Sequence, residues 1–374
     1  MSKTFVASAT LIGTVIGAGI LGIPYVLMKS GIAIGLSHLI LLAIIMALTT
    51  LYLGEIALRT KKNHQLTGYA EKYFGKKGKK IMFIAFSFGM YAALIAYLIG
   101  EGESFSQLFF NTTEFAIPLA FAFWVILSAL SYFGLKALEE GESIGVILIL
   151  ILIISIAVLS YNQINVENLT YNNYNNLFVP FGVILFAYLG FSAIPELERI
   201  FKGEGKHMRK SIVLGYLFCF IAYAVFAISV IGSKGLLTPP IATLVLGKPF
   251  VLLGILTMFT SYLALSIALI DMYRFDFKFS KIKAWLSVII PPLVVYLALK
   301  IFNMAQFTRV LGIGGVISGG LTAILILLMV KKAKMHGDRK PEYSMPYSKI
   351  LTWGLIIIFI IGATLEVLYT LNII

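Results

Sequence analysis

The chain has 374 residues, 59% of them hydrophobic and 13% charged, with a mean hydropathy of +0.94. A water-soluble chain of this length needs far more polar surface, so the composition points to an integral membrane protein. A net charge of +13 raises nucleic-acid binding, and the single cysteine, Cys219 in an apolar run, excludes a disulfide framework and argues against a Cys/His metal site.

A helix crosses the hydrocarbon with about 20 apolar residues. Eleven such runs are read, at 5–28, 33–58, 80–100, 115–133, 143–161, 178–199, 211–232, 249–270, 284–301, 309–330 and 350–371. They predict an all-α integral membrane fold of eleven transmembrane helices. The N-terminal run lacks a signal-peptide cleavage pattern and is expected to stay in the mature protein. With the N-terminus inside, the inside segments hold 25 of the 30 Lys and Arg, and the outside segments hold 5. This positive-inside asymmetry puts the N-terminus in the cytoplasm and the C-terminus outside, in a plasma (inner) membrane. The basic charge is then a topology signal, and no nucleic-acid partner is expected.

Span 1 reads GTVIGAGILGIPY, with Gly13, Gly17, Gly19, Gly22 and Pro24, and it looks built to break near residue 17. Backbone polar groups stay unpaired in a membrane only where protein or a cavity receives them. The other reading is that the glycines pack helices together. Glu55 lies near the inner end of span 2, and Glu101 and Glu103 at the outer end of span 3. All three are expected to be solvated or ion-paired. Span 5, from Ser143 to Tyr161, carries no charge, and the following stretch, 161–177, is rich in Asn and free of Lys and Arg.

Span 6 reads FAYLGFSAIPELE, with Gly190 and Pro195, and its break is expected near residue 189. In both spans a glycine is followed five residues later by proline, from Gly19 to Pro24 and from Gly190 to Pro195. Proline suits the first turn of a second half-helix. Phe186 and Tyr188 stand at the break, where a ring either caps a ligand or packs against span 1. Glu196 and Glu198 close its inner end. Residues 232–248, with Pro239 and Pro240, are too short to span and are expected to fold back as a short helix over the outer face.

Span 8 carries Thr257, Thr260 and Ser261 at i, i+3 and i+4, hence on one helical face. Such hydroxyls either face a ligand or bond to carbonyls of their own helix. The longest polar stretch, Lys331–Lys349, is read as a cytoplasmic loop, which leaves no room for a soluble domain. Glu366 lies in span 11, near the outer face.

Spans 1 and 6 open two five-helix halves, and five is odd, so the halves run in opposite directions. Broken helices at matching positions of inverted halves point to a transport site. At such breaks free N–H groups and the positive end of a half-helix suit a carboxylate, and freed carbonyls suit an ammonium group. Together they suit an amino-acid zwitterion. Ala18, Gly22 and Ala187 leave room for a medium or large apolar one.

These motifs resemble the first and sixth spans of the amino-acid/polyamine/organocation superfamily. The likeness is closest to the amino acid/auxin permease group and the bacterial tryptophan/tyrosine permeases. It implies the leucine-transporter fold, a 5+5 inverted repeat plus one extra C-terminal helix: residues 1–161, then 162–332, then a cytoplasmic loop and the eleventh helix over 333–374. It places the substrate carboxylate on the amides of Gly17, Ala18 and Gly19, and the amine near the carbonyls of Ile16, Phe186 and Ala187. Phe186 becomes an outer gate. Span 8 resembles half of that fold's sodium site, with Thr257, Thr260 and Ser261 facing the carbonyls of Gly13 and Ile16. The expected function is secondary amino-acid transport by alternating access, in symport with Na+ or H+. The expected partners are the substrate, the coupling cation and the bilayer, with no cofactor beyond that ion and no obligate protein partner. A membrane amino-acid sensor is the alternative. An enzyme is not expected, because the four histidines form no catalytic constellation and only His38 lies in a span. No nucleotide-binding motif of the Walker type is present, so ATP-driven pumping has no support.

Overall fold

The computed structural model describes residues 2–133, 137–201 and 204–370, without the side chains of 137–146, 148 and 276. The described residues form helices joined by short turns. One isolated antiparallel bridge, Gly31 to Asn172, takes the place of any strand.

The first helix, α1 (Lys3–Val15), is followed by a 3-10 turn over Ala18–Gly22 and by α2 (Ile23–Ser30). Then come α3 (Ile32–Leu58), α4 (Leu66–Phe110), α5 (Ala116–Phe133) and α6 (Ala137–Ser160). A short helix, α7 (Glu167–Thr170), leads to the paired segments α8 (Val179–Ala187) and α9 (Ile194–Ile200). The rest is α10 (Lys206–Lys234), α11 (Lys248–Phe277), α12 (Lys281–Ile301), α13 (Phe307–Gly314), α14 (Leu321–His336) and α15 (Lys349–Thr370).

Among the described residues, nine helical stretches, with α8–α9 and α13–α14 each taken as one, are long and apolar enough to cross a membrane, and the bent pair Lys3–Val15 with Ala18–Ser30 makes a tenth. They fall on ten of the expected spans. The other, at 143–161, falls on α6, and the side chains of 143–146 and 148 lie outside the described ones. The spans 178–199, 309–330 and 80–100 are the most buried, and α8 and α13 of the first two pack against the turn Ala18–Gly22 that follows the first break.

Three elements differ from the sequence expectation. The third span is far longer than 80–100, because α4 runs from Leu66 to Phe110 with a kink at Gly75. Gly75 has φ +67°, a conformation that a side chain would strain. The tenth span is interrupted: a π-helical segment, Gly315–Gly320, separates α13 from α14. Residues 232–248 form two 3-10 turns, Gly235–Leu237 and Ala242–Val245, where a short helix was expected. Pro239 and Pro240 lie between them and have no N–H with which to continue a helix.

The loops gather into two groups. In one, Lys3 pairs with Glu204 at 2.7 Å, Lys72 with Asp338, Arg339 with Glu198 at 3.8 Å, and Lys334 with Glu55 at 2.6 Å. These ties join the segments assigned to the inside by charge. In the other group the Asn173 amide donates to the Ser30 carbonyl, the Asn165 amide to the Gly232 carbonyl, and Lys300 pairs with Glu103 at 3.5 Å.

Candidate functional site

The first span breaks at Ile16 and Gly17. Ile16 leaves helical geometry at φ −81°, ψ 91°, and Gly17 is extended at φ −118°, ψ −161°. The Ile16 and Gly17 amides still donate backward, to Ile12 and Val15 carbonyls, and the Ile20 amide donates to the Gly17 carbonyl at 3.3 Å. Among the described residues nothing accepts from the amides of Ala18 and Gly19. Pro24 sits in the first turn of α2, as the sequence predicts.

The sixth span breaks between α8 and α9, where Tyr188 and Gly190 leave helical geometry and a 3-10 turn covers Phe191–Ala193. Pro195 opens α9 in the same way as Pro24 opens α2.

The two breaks touch. A Cβ built on Gly19 would lie 3.3 Å from the Ala187 Cα and 3.3 Å from Phe186 Cδ1. A Cβ on Gly17 would meet nothing within 4 Å, so there is open space beside the unpaired amides. The half-buried Phe186 ring lies against Gly19 on one side and Gly314 on the other, bridging the first break to the interrupted tenth span. Gly190 has a different role. A Cβ there would lie 2.6 Å from Val15 Cγ2, so this glycine lets the sixth span pack against α1.

Two tyrosines of the seventh span, missed in the sequence reading, bond to carbonyls at the breaks. The Tyr223 hydroxyl lies 2.9 Å from the Val15 carbonyl and 2.8 Å from the Ala187 carbonyl, so it ties both breaks to α10. The Tyr216 hydroxyl donates to the Tyr188 carbonyl at 3.2 Å and lies 2.8 Å from Thr50 Oγ1. Their seven-residue spacing on one helix face in an apolar span was the available signal. The Tyr188 ring is fully buried between Tyr216 and Tyr223, at centroid distances of 6.1 and 5.2 Å, so it packs the scaffold and does not cap the break.

On α11, Thr257 donates to the Gly254 carbonyl at 2.7 Å, and Thr260 lies 3.2 Å from the Leu256 carbonyl and 3.1 Å from the Thr257 carbonyl. Ser261 lies beside the Tyr97 hydroxyl. Both threonine hydroxyls are turned onto their own helix, and α11 packs against the 3-10 turn Ala18–Gly22 that follows the first break.

Contacts tie the helices together on both sides of the breaks. At the basic end the Tyr69 hydroxyl donates to Glu198 at 2.8 Å, and Asn63 donates to the Pro195 carbonyl at 3.0 Å. Glu55 accepts from Arg59, Lys334, Ser344 and the Met345 amide, all within 2.9 Å. In the loop above it, the Lys61 amide and Lys72 hold the Asp338 carboxyl below the usual carboxylate range. At the other end Gly22 lies against Thr308 and Val183. Glu55, Glu103 and Glu198 are thus ion-paired, as expected. Glu101 is not. It is fully buried, because α4 continues past residue 100 to Phe110, and among the described residues neither carboxyl oxygen has a hydrogen-bond partner. Glu366 is also deep, packed on Gly182 and Gly312.

A profile of the tryptophan/tyrosine permease family matches residues 1–368. Tyrosine-specific transport system 1 of Haemophilus influenzae is 25% identical, over 97% of this chain and 95% of its own length. Glutamine transporter 2 of Aliivibrio fischeri is 26% identical over 88% of each chain, and the tyrosine permease of Enterobacter agglomerans is 25% identical over 60% of this chain and 57% of its own.

Proposed function

Since the chain belongs to the tryptophan/tyrosine permease family, we propose that it carries an aromatic amino acid across the plasma membrane by alternating access, in symport with Na+ or H+. It is a permease and not an enzyme. The observation that carries the reading is the apposition of two broken helices beside open space. The Ala18 and Gly19 amides, with the Gly17 amide at their edge, receive the substrate carboxylate. The carbonyl of Ile16 faces the amine, and that of Phe186, which also accepts from the Leu189 amide at 3.1 Å, offers its remaining lone pair. The Ala187 carbonyl joins them only when it exchanges its Tyr223 hydrogen bond. Phe186 closes over the substrate from the outer side, and Gly190 lets the sixth span lie close enough to the first for both breaks to share one ligand.

The two halves, 1–161 and 162–332, form the inverted repeat, and the eleventh helix lies outside them. The N-terminus is cytoplasmic and the C-terminus outside, as the basic loops require. For a sodium-coupled cycle the ligands are the Thr260 and Ser261 hydroxyls with the carbonyls of Thr257, Gly13 and Ile16. Thr260 must then turn away from the carbonyls of its own helix. For a proton-coupled cycle the buried Glu101 is the acid to test.

Two named relatives carry tyrosine and one carries glutamine, so uptake of labelled tyrosine, tryptophan and glutamine into proteoliposomes tests the substrate. Tyrosine or tryptophan uptake that exceeds glutamine uptake is the expected result. No uptake of any of the three would overturn the proposal.

A further inference from the structure

We infer that Glu366 is the positioning residue through which the eleventh span holds the outer mouth closed, an inference that rests on the transport reading above. Glu366 lies on α15, outside the two halves, and is 5% exposed. Its carboxyl sits over glycines of two different helices. A Cβ on Gly182 of α8 would lie 2.6 Å from the carboxyl carbon, and one on Gly312 of α13 would lie 2.9 Å from it. Neither position admits a side chain while Glu366 is in place. The Gly182 backbone lies against the carboxyl, whose Oε2 has no hydrogen-bond partner among the described residues, and the Arg309 guanidinium, three residues before Gly312, acts on it electrostatically. Tyr369 and Tyr25 complete the polar groups around it, and Gln306 donates to the Tyr25 hydroxyl at 3.1 Å.

These helices form the outer seam. Val183, next to Gly182, lies 3.3 Å from a Cβ built on Gly22 of the first span, and Thr308, next to Arg309, lies 3.1 Å from it. Outward opening has to part α8 from α13, since they cover the break from two sides. A carboxyl packed on both loses contacts to one of them when they part. It therefore favours the closed seam, and its removal shifts the population toward the outward-open state by the worth of those buried contacts, about tenfold.

The test uses a Val183→Cys reporter in a Cys219→Ser background, reconstituted in vesicles and labelled from outside with a membrane-impermeant maleimide. Glu366→Ala is expected to raise the labelling rate about tenfold. A second reporter, Leu197→Cys on the inner half-helix, labelled from the inside, is expected to react no faster. If the alanine variant fails to insert, Glu366→Gln fills the same space without charge toward Arg309 and must raise the outer rate in the same direction. An outer rate equal to that of the parent overturns the inference. Equal increases at both reporters overturn it too, because they mark general loosening of the bundle. The labelling needs no substrate, so failure of the transport reading shows in the uptake assay and failure of this inference shows here.

Discussion

Gly17→Ala is expected to weaken substrate binding without loosening the fold. A Cβ at residue 17 meets nothing within 4 Å, and φ −118° is open to any residue, so alanine adds neither clash nor strain. It does place a methyl group in the space beside the Ala18 and Gly19 amides, where the carboxylate has to approach. Loss of one charged hydrogen bond there costs about 1.5–3 kcal/mol, which is roughly a tenfold to hundredfold weaker Kd. Gly19 behaves differently. A Cβ at residue 19 is 3.3 Å from the Ala187 Cα, which is backbone and cannot swing aside, so Gly19→Leu forces the two breaks apart. Overpacking of this kind costs about 1–3 kcal/mol and abolishes binding while membrane insertion persists. The assay is equilibrium binding of labelled tyrosine or tryptophan to purified protein, with the melting temperature of each variant measured alongside. Parent affinity in Gly17→Ala would refute the placement of the carboxylate. Parent affinity in a well-inserted Gly19→Leu would show that these glycines serve packing alone.

Tyr223→Phe removes the donor shared by the Val15 and Ala187 carbonyls and should cost about 1–3 kcal/mol, read as a lower melting temperature; an unchanged melt would mean the carbonyls find other donors. Thr260→Ala should raise the sodium concentration for half-maximal uptake about tenfold if sodium couples, with substrate affinity at saturating sodium little changed. Uptake that survives replacement of sodium by choline but collapses with the pH gradient would discard that site and direct the search to Glu101. Single cysteines at Lys62 and Lys206 in a Cys219→Ser background should label only from the cytoplasm, and one at Asn172 only from outside; labelling of 62 and 172 from the same side would break the span assignment.

The breaks were legible in the sequence because glycine and proline act locally: Gly17, Gly19, Pro24, Gly190 and Pro195 mark the helix ends within a few residues. The two groups of loops were legible because charge is counted without knowing any contact. The extent of the third span was not, since Glu101 and Glu103 end the apolar run while the helix itself continues to Phe110. Glu101 therefore looked like an interface residue and is buried. The π-helical segment had a signal in the glycines from Gly312 to Gly320, but such interruptions depend on what packs beside them, here Gly89 against Ser318 and Phe186 against Gly314. The roles of Tyr216, Tyr223 and Glu366 are set by partners far away in the chain, which spacing alone does not reveal.

The central claim is that the apposed breaks bind an amino acid for net transport. Its most direct test is accumulation of labelled tyrosine or tryptophan in proteoliposomes under imposed sodium and pH gradients, with Gly17→Ala run in parallel. Concentrative uptake by the parent that falls about tenfold or more in Gly17→Ala at subsaturating substrate is the expected result. Uptake that only equilibrates with both gradients imposed, or that is the same in Gly17→Ala, would contradict it.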